Sequence, residues 1–323
     1  MNAKSTKHLF VSVLTWGMTA QAGAQAPGAD YLNTPFGWFH KDCVSLVDDS
    51  THVDERVDVP SGDIGSICAH KNYAHRYSAG GNTAQVTTNG WAAYALAEAQ
   101  QTSKGIRHFT GLEAEWRVPK PPEEWPSASD PNYSSAVVFL FPSLQSRNAS
   151  GTYTSIIQPV LQYGVSAAGG GDRWTLASWY VNGVTNRVFT SYVIDVQPGD
   201  LIRGTIESSN CTSAGDCDWF IQAQPVGGGP RSSAHLSTTA DAFVYNIVNP
   251  GVLEVYAGDS CDMLPPGGET IFENVRIFEG DSVTWGIVPH MQYVVNQGNP
   301  FCGFSVSVGF DDDEGNINTR ILY

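Results

Sequence analysis

Positive charge is scarce in this 323-residue sequence: 17 Lys and Arg stand against 32 Asp and Glu, for a formal charge of −15. The few cations are scattered rather than massed into a patch, which excludes nucleic acid and anionic membrane surfaces as partners. No apolar run approaches the roughly 20 residues that cross a bilayer. Long helical periodicity is also missing. The best short helix candidate, Trp91 to Gln101, alternates equally well as a strand and is read as one. Among the six cysteines no two lie at C-x-x-C spacing and no histidine pair accompanies them, so a structural metal site has no support. There is no G-x-S-x-G elbow, no H-E-x-x-H helix and no glycine-rich phosphate loop. Serine hydrolase, zincin and nucleotide-binding chemistry are left without direct support, and carboxylates and amides remain as the candidates.

What is present begins with a leader. Lys4 and Lys7 sit in a short polar start, an apolar run extends from Leu9 to about Ala20, and small residues follow as Ala22-Gly23-Ala24 and Ala24-Gln25-Ala26. That is the pattern of a secretory signal peptide over residues 1–26, which predicts a secreted, extracellular or periplasmic protein. Six cysteines in an exported chain read as three disulfides. Cys43, Cys68, Cys211, Cys217, Cys261 and Cys302 allow 15 connectivities, and sequence alone selects none. Pairing between neighbours is the working expectation.

Gly and Pro punctuate the chain, with aromatic and β-branched residues filling the stretches between them. Strand-like runs fall at 111–118, 135–141, 155–165, 174–181, 188–196, 201–208, 218–224, 242–248, 251–256, 270–278 and 304–310. Alternation is clearest where Leu112, Ala114, Trp116 and Val118 take one face and Glu113, Glu115 and Arg117 the other. Glycine-rich breaks at 169–171, 197–200 and 227–230 are placed like hairpin connections. The spacing predicts an all-β, two-sheet antiparallel β-sandwich or jelly roll over residues 87–323. Residues 27–86 are looser in pattern and read as an amino-terminal extension, either a propeptide or a small β appendage. A monomer is the expected state.

An ordered set of segments resembles the glutamic peptidases known as eqolisins. Thr87-Thr-Asn-Gly-Trp91-Ala-Ala-Tyr94 and Phe109-Thr-Gly-Leu-Glu-Ala-Glu-Trp116-Arg-Val-Pro119 are similar to the family's opening N-W stretch and its F-x-x-x-x-x-x-W-x-V-P strand. Val160-Leu-Gln162-Tyr-Gly164-Val165 resembles its I-L-Q-x-G-V strand, and Trp179-Tyr180 its W-Y-E-W strand. Gly199-Asp200-Leu-Ile202 matches a G-D-x-I turn, and Leu253-Glu254-Val255 falls where the family has A-E-W. The resemblance implies a concanavalin A-like sandwich acting on a polypeptide without cofactor. It assigns the family's catalytic Gln to Gln162 and its catalytic Glu to Glu254, with Trp91, Trp116, Phe139 and Trp179 lining a groove. The family's W-V-G-I-D-G strand is Val138-Phe-Leu-Phe-Pro-Ser143 here, which lacks the Trp and the Asp. Val181 and Val255 replace a Glu and a Trp of the pattern.

The chemistry fits the pair on its own terms. A carboxylate holding a water can take its proton as the water attacks a carbonyl, then return it to the leaving amine. An uncharged amide donates a hydrogen bond to the oxyanion whatever the pH. Other readings compete. Gln158 shares a strand face with Gln162, Glu254 suits a solvent-facing strand position, and the tryptophans suit a core. Glu113 and Glu115 lie at i and i+2, the arrangement of a sandwich-fold glycosidase acting on a glycan. A catalytically inactive binding relative is a further alternative. The tract Asp311–Asn316 lacks the twelfth-position Glu of a calcium loop and reads as an acidic hairpin tip. Asn132, Asn148 and Asn210 head N-x-(S/T) sequons.

Overall fold

The computed structural model describes residues 29–49, 51–54, 68, 88–99, 101–102, 105–106, 108–148, 150–151, 153–211, 217–238, 245–258, 260–279, 286–287, 294–296, 302–310 and 316–323. The leader and residues 311–315 of the acidic tract lie outside the described residues.

The described residues open with β1 (Tyr31–Thr34), β2 (Gly37–His40), a 3-10 turn at Lys41–Cys43, β3 (Val44–Val47) and β4 (His52–Asp54). After these come β5 (Thr88–Glu98), β6 (Gln101–Thr102), β7 (Gly105–Ile106) and β8 (Phe109–Arg117). The middle of the chain forms β9 (Val137–Arg147), β10 (Tyr153–Ser166), β11 (Gly169–Asn182), β12 (Arg187–Ser191) and β13 (Ile194–Asp195). Next are β14 (Leu201–Ser209), β15 (Cys217–Pro225), β16 (Ser232–Thr238) and β17 (Tyr245–Gly258). The last strands are β18 (Glu269–Glu279), β19 (Gly286–Ile287), β20 (Val294–Asn296), β21 (Ser305–Phe310) and β22 (Ile317–Leu322).

Among the described residues two nine-stranded sheets build the sandwich. The first runs β20-β5-β17-β9-β10-β11-β12-β3, with β13 also on β11; the second runs β21-β22-β18-β8-β14-β15-β16-β4, with β19 also on β18. Pairing is antiparallel except at one edge of each sheet, where β3 runs parallel to β12 and β4 parallel to β16. Two strands from the segment before residue 87 are thus members of the sandwich sheets, and each covers an otherwise open edge.

The alternation read in β8 holds in space. Leu112, Ala114, Trp116 and Val118 are buried in the core between the sheets, where Trp116 packs on Phe272 at 5.6 Å between ring centroids. Gly204, on the neighbouring β14, makes room for that indole, since a Cβ there would lie 2.7 Å from the Trp116 ring. The two runs expected at 242–248 and 251–256 join as the single strand β17, with its register shifting across Asn249, Pro250 and Gly251. Proline has no N–H for the ladder, so it sits where the pairing bulges. The glycines at 169–171 begin β11 rather than forming the connection, which is the two-residue turn Ala167-Ala168 between Ser166 and Gly169.

The cysteines pair as neighbours: Cys43 with Cys68, Cys211 with Cys217 and Cys261 with Cys302. Among the described residues no helix is long and apolar enough to cross a membrane.

Candidate active site

Strand alternation decides which side chains share a face of the first sheet. Leu161 and Tyr163 of β10, Leu253 and Val255 of β17, and Val138 and Leu140 of β9 all point into the core between the sheets. Their neighbours Gln162, Glu254 and Phe139 therefore point to the outer face. Register then sets them side by side. Phe139 is paired with Gln162 on one side and with Glu254 on the other, so the three lie in one row across β10, β9 and β17. Two strand spacings put the backbones of Gln162 and Glu254 about 10 Å apart.

Glu254 is 1% exposed. Its Oε1 accepts a hydrogen bond of 2.5 Å from the Tyr256 hydroxyl, two residues along the same strand face. Trp91, opposite Glu254 on β5, also acts on the carboxylate, yet Oε2 closes no well-formed hydrogen bond among the described residues. Burial pushes the Glu254 carboxyl up to about 8, against the pull of Tyr256 and Trp91, both of which favour the ionised form. Burial and the adjacent carboxylate drive the Tyr256 hydroxyl well above its ordinary range.

Gln162 is held as firmly. The Ser166 hydroxyl donates to its Oε1 at 2.9 Å, and its Nε2 donates to the Gly169 carbonyl at 2.9 Å. An amide carries two N–H groups, so the second is the one that can serve an oxyanion. The backbone around it has no slack. At Gly170, with φ of +113°, a Cβ would lie 2.7 Å from Gln162 Nε2 and 2.3 Å from the Gly164 carbonyl. Gly170→Ala is accordingly expected to destabilise the fold by about 1–3 kcal/mol and to turn the amide away. Chemical denaturation and the Gln162 side-chain amide resonances check this; an unchanged amide environment contradicts it.

The residues expected in the groove divide. Phe139 and Trp179 face each other on the outer face with ring centroids 6.3 Å apart, and Tyr256 completes the group 6.2 Å from Phe139. Trp91 joins at the margin, 5.9 Å from Phe141. Trp116 does not join, because it lies in the core between the sheets. Gln158 does share the face, but it lies level with Trp179, and its Nε2 donates to the Pro35 carbonyl at 3.0 Å. Gln162 is the amide in line with Glu254. Tyr256 and Ser166, which orient the pair, escaped the sequence reading; their signal was the i+2 spacing from Glu254 and the i+4 spacing from Gln162.

Polar atoms on this face are left without partners among the described residues: Glu254 Oε2, Gln158 Oε1, Thr175 Oγ1 and Trp179 Nε1. Thr175 is paired with Gln162 and Trp179 with Gln158, so these atoms cluster about the row. Buried polar groups are ordinarily satisfied, and such a cluster marks a place for water or ligand.

Solved structures that match this chain include two of different kinds. One is a scytalido-glutamic peptidase with a peptide-based transition state analog, 13% identical, covering 72% of this chain and 97% of that one at a TM-score of 0.41. The other is the CBM2 module of the evolved Dit of Lactobacillus casei BL23 phage J-1, 11% identical, covering 58% and 84% at a TM-score of 0.28. No family model and no curated protein matches the sequence. Neither likeness bears on the chemistry of the site.

Glu113 and Glu115 lie elsewhere, on the outer face of the second sheet. Glu113 pairs with Arg276, and Glu115 accepts from Arg203 at 2.7 Å and from Asn274 at 2.9 Å. Partial burial works against ionisation of Glu115, but Asn274, Arg203 and Arg276 together hold its carboxyl below the usual range. Glycoside hydrolysis needs one carboxyl kept protonated as the acid. Glu115 is held the opposite way.

The buried Glu254 has a consequence for stability. Its carboxyl, raised from the ordinary 4.5 to about 8, keeps a proton in the native state over a range where the unfolded chain has released it. Stability is therefore full below about pH 4.5, falls as pH rises, and levels off above about pH 8, with a total loss of at most about 5 kcal/mol. Glu254→Gln is expected to flatten this slope, as read from urea unfolding at pH 5 and pH 8. An identical slope in wild type and variant contradicts it.

Proposed function

We propose that the chain is an exported, acid-acting endopeptidase of the glutamic type, with Glu254 as general acid and base and Gln162 as oxyanion donor. The observation that carries the reading is the single row Gln162–Phe139–Glu254 on the outer face of one sheet. Two residues about ninety positions apart, singled out by resemblance of separate motifs to one family, are brought onto one face by strand pairing alone. The three disulfides suit the oxidising compartment that a leader implies.

In the proposed reaction the ionised Glu254 takes a proton from a water as its oxygen bonds to the peptide carbonyl carbon. The carbonyl electrons move onto oxygen, and the oxyanion accepts a hydrogen bond from Gln162 Nε2. Collapse re-forms the carbonyl and breaks the C–N bond, and Glu254 passes its proton to the departing nitrogen. The products are a new carboxyl terminus and a new amine. Tyr256 keeps the carboxyl aimed, and Ser166 fixes which end of the Gln162 amide is presented.

The test is incubation of a reduced, alkylated protein with the folded chain between about pH 2 and pH 7, with new termini read by mass spectrometry. New internal termini in acid are the expected result. Glycan release dependent on Glu113 or Glu115, with no peptide cleavage, would replace the reading with its rival.

A further inference from the structure

The outer face that carries Gln162 and Glu254 is not open. The hairpin of β1 and β2, two strands of four residues joined at Pro35-Phe36, lies over it. Trp38 and Phe39 are 2% and 1% exposed and belong to one apolar cluster with Phe139, Trp179 and Tyr256. The Trp38 ring sits 5.0 Å from that of Tyr256, the residue that holds Glu254. At the other end of the row Asn33 donates to the Ser135 carbonyl at 2.8 Å, and its own carbonyl accepts from the Ala167 N–H at 2.8 Å. Ala167 belongs to the turn that carries Ser166 and Gly169, the two partners of Gln162. Between these ends the Pro35 carbonyl accepts from Gln158.

We propose that this hairpin is an internal occupant of the site, standing where a polypeptide substrate would lie, and that Trp38 marks a subsite for an aromatic side chain. The proposal rests on the function proposed above. Its contacts are those a bound peptide would make: main-chain carbonyls accept from the face, and an aromatic side chain meets aromatic rings. While the hairpin is seated, Glu254 and Gln162 are 1% and 0% exposed, so a scissile carbonyl from solvent reaches them only once the hairpin leaves. A two-stranded hairpin of this length is marginal by itself, so its order depends on the face beneath it. It is nonetheless tethered. From His40 one 3-10 turn leads into β3, which is fixed in the sheet edge on β12, and Cys43 in that turn is bonded to Cys68. Tethering gives the hairpin an effective concentration of order millimolar, so it competes strongly with free substrate yet leaves by a local opening. Release also returns the Glu254 carboxyl to water, which lowers its pKa toward the range a base needs in acid.

The experiment uses the full chain as wild type and as Trp38→Ala, with a reduced, alkylated protein as substrate and the synthetic peptide Tyr-Leu-Asn-Thr-Pro-Phe-Gly-Trp-Phe-His, the sequence of residues 31–40, as competitor. The variant is expected to cleave at least about tenfold faster than wild type, after or before aromatic residues, and the added peptide is expected to inhibit it. Equal cleavage by both proteins overturns the inference and leaves the peptidase reading intact. If neither cleaves, calorimetric binding of the peptide by the variant but not by wild type upholds the inference while the catalytic reading fails. Absence of binding by the folded variant overturns the inference. Should Trp38→Ala not fold, amide exchange on wild type decides: saturating peptide must speed exchange at the protein's own β1 and β2 amides, and an unchanged rate overturns the proposal.

Discussion

Glu254→Gln is expected to lower kcat/KM on an unfolded polypeptide by about 10²–10⁴-fold while the protein stays folded. Gln has the shape of Glu, and its amide oxygen can accept from the Tyr256 hydroxyl as Oε1 does. It cannot take a proton from water or return one to an amine, so the chemistry is lost without the packing. The site is wholly buried, which makes this separation unusually clean. An uncharged amide removes the penalty that neutral pH imposes on the carboxyl, so the inactive variant should also be the more stable protein at pH 8. Loss of activity through misfolding would show the opposite sign. Thermal unfolding of both proteins beside the rate assay distinguishes the two, and retained activity removes Glu254 from its role.

Gln162→Ala is expected to cost about 10²–10³-fold, chiefly in kcat, because the hydrogen bond it removes strengthens only as charge develops on the carbonyl oxygen. The truncation also removes the amide's hydrogen bonds to Ser166 and Gly169, leaving the Ser166 hydroxyl its longer contact of 3.3 Å with the Gly169 carbonyl, which costs about 1 kcal/mol of stability. Gln162→Glu separates those effects. It preserves the shape, and its carboxyl donates a hydrogen bond only when protonated. Activity in that variant should be partly recovered at low pH and vanish as the pH rises, whereas wild-type Gln imposes no such limit. A flat ratio of variant to wild-type rates across the acid range would mean that Gln162 does not donate to the reacting oxygen.

Much of the architecture was legible because period-two alternation is a strong signal where one face is buried. From Leu112 to Trp116 every second residue of β8 enters the core, while Glu113 and Glu115 take the other face. Strands β16 and β22 were missed, since Ser-Ser-Ala-His-Leu-Ser-Thr and Ile-Asn-Thr-Arg-Ile-Leu mix polar with apolar residues and offer no hydrophobic run. Motif resemblance singled out Gln162 and Glu254, but only strand register could put them in one row across Phe139. Trp116 lies in the core for a reason alternation does not supply: aromatic residues at alternate positions enter either a core or a groove, and sequence does not say which sheet face they meet. The covering hairpin was out of reach for a similar reason. Nothing in Tyr31–His40 names its partner, which lies a hundred residues and more further along the chain.

The most direct test of the account is a double-mutant cycle on kcat/KM in acid, using Glu254→Gln, Gln162→Ala and their combination in the Trp38→Ala background, with one unfolded polypeptide as substrate. Residues that act on a single reacting centre are grossly non-additive. The account predicts cleavage in the Trp38→Ala parent, large losses in each variant, and a combined variant little worse than Glu254→Gln alone. Losses that simply multiply, or no cleavage by a folded parent, would contradict it.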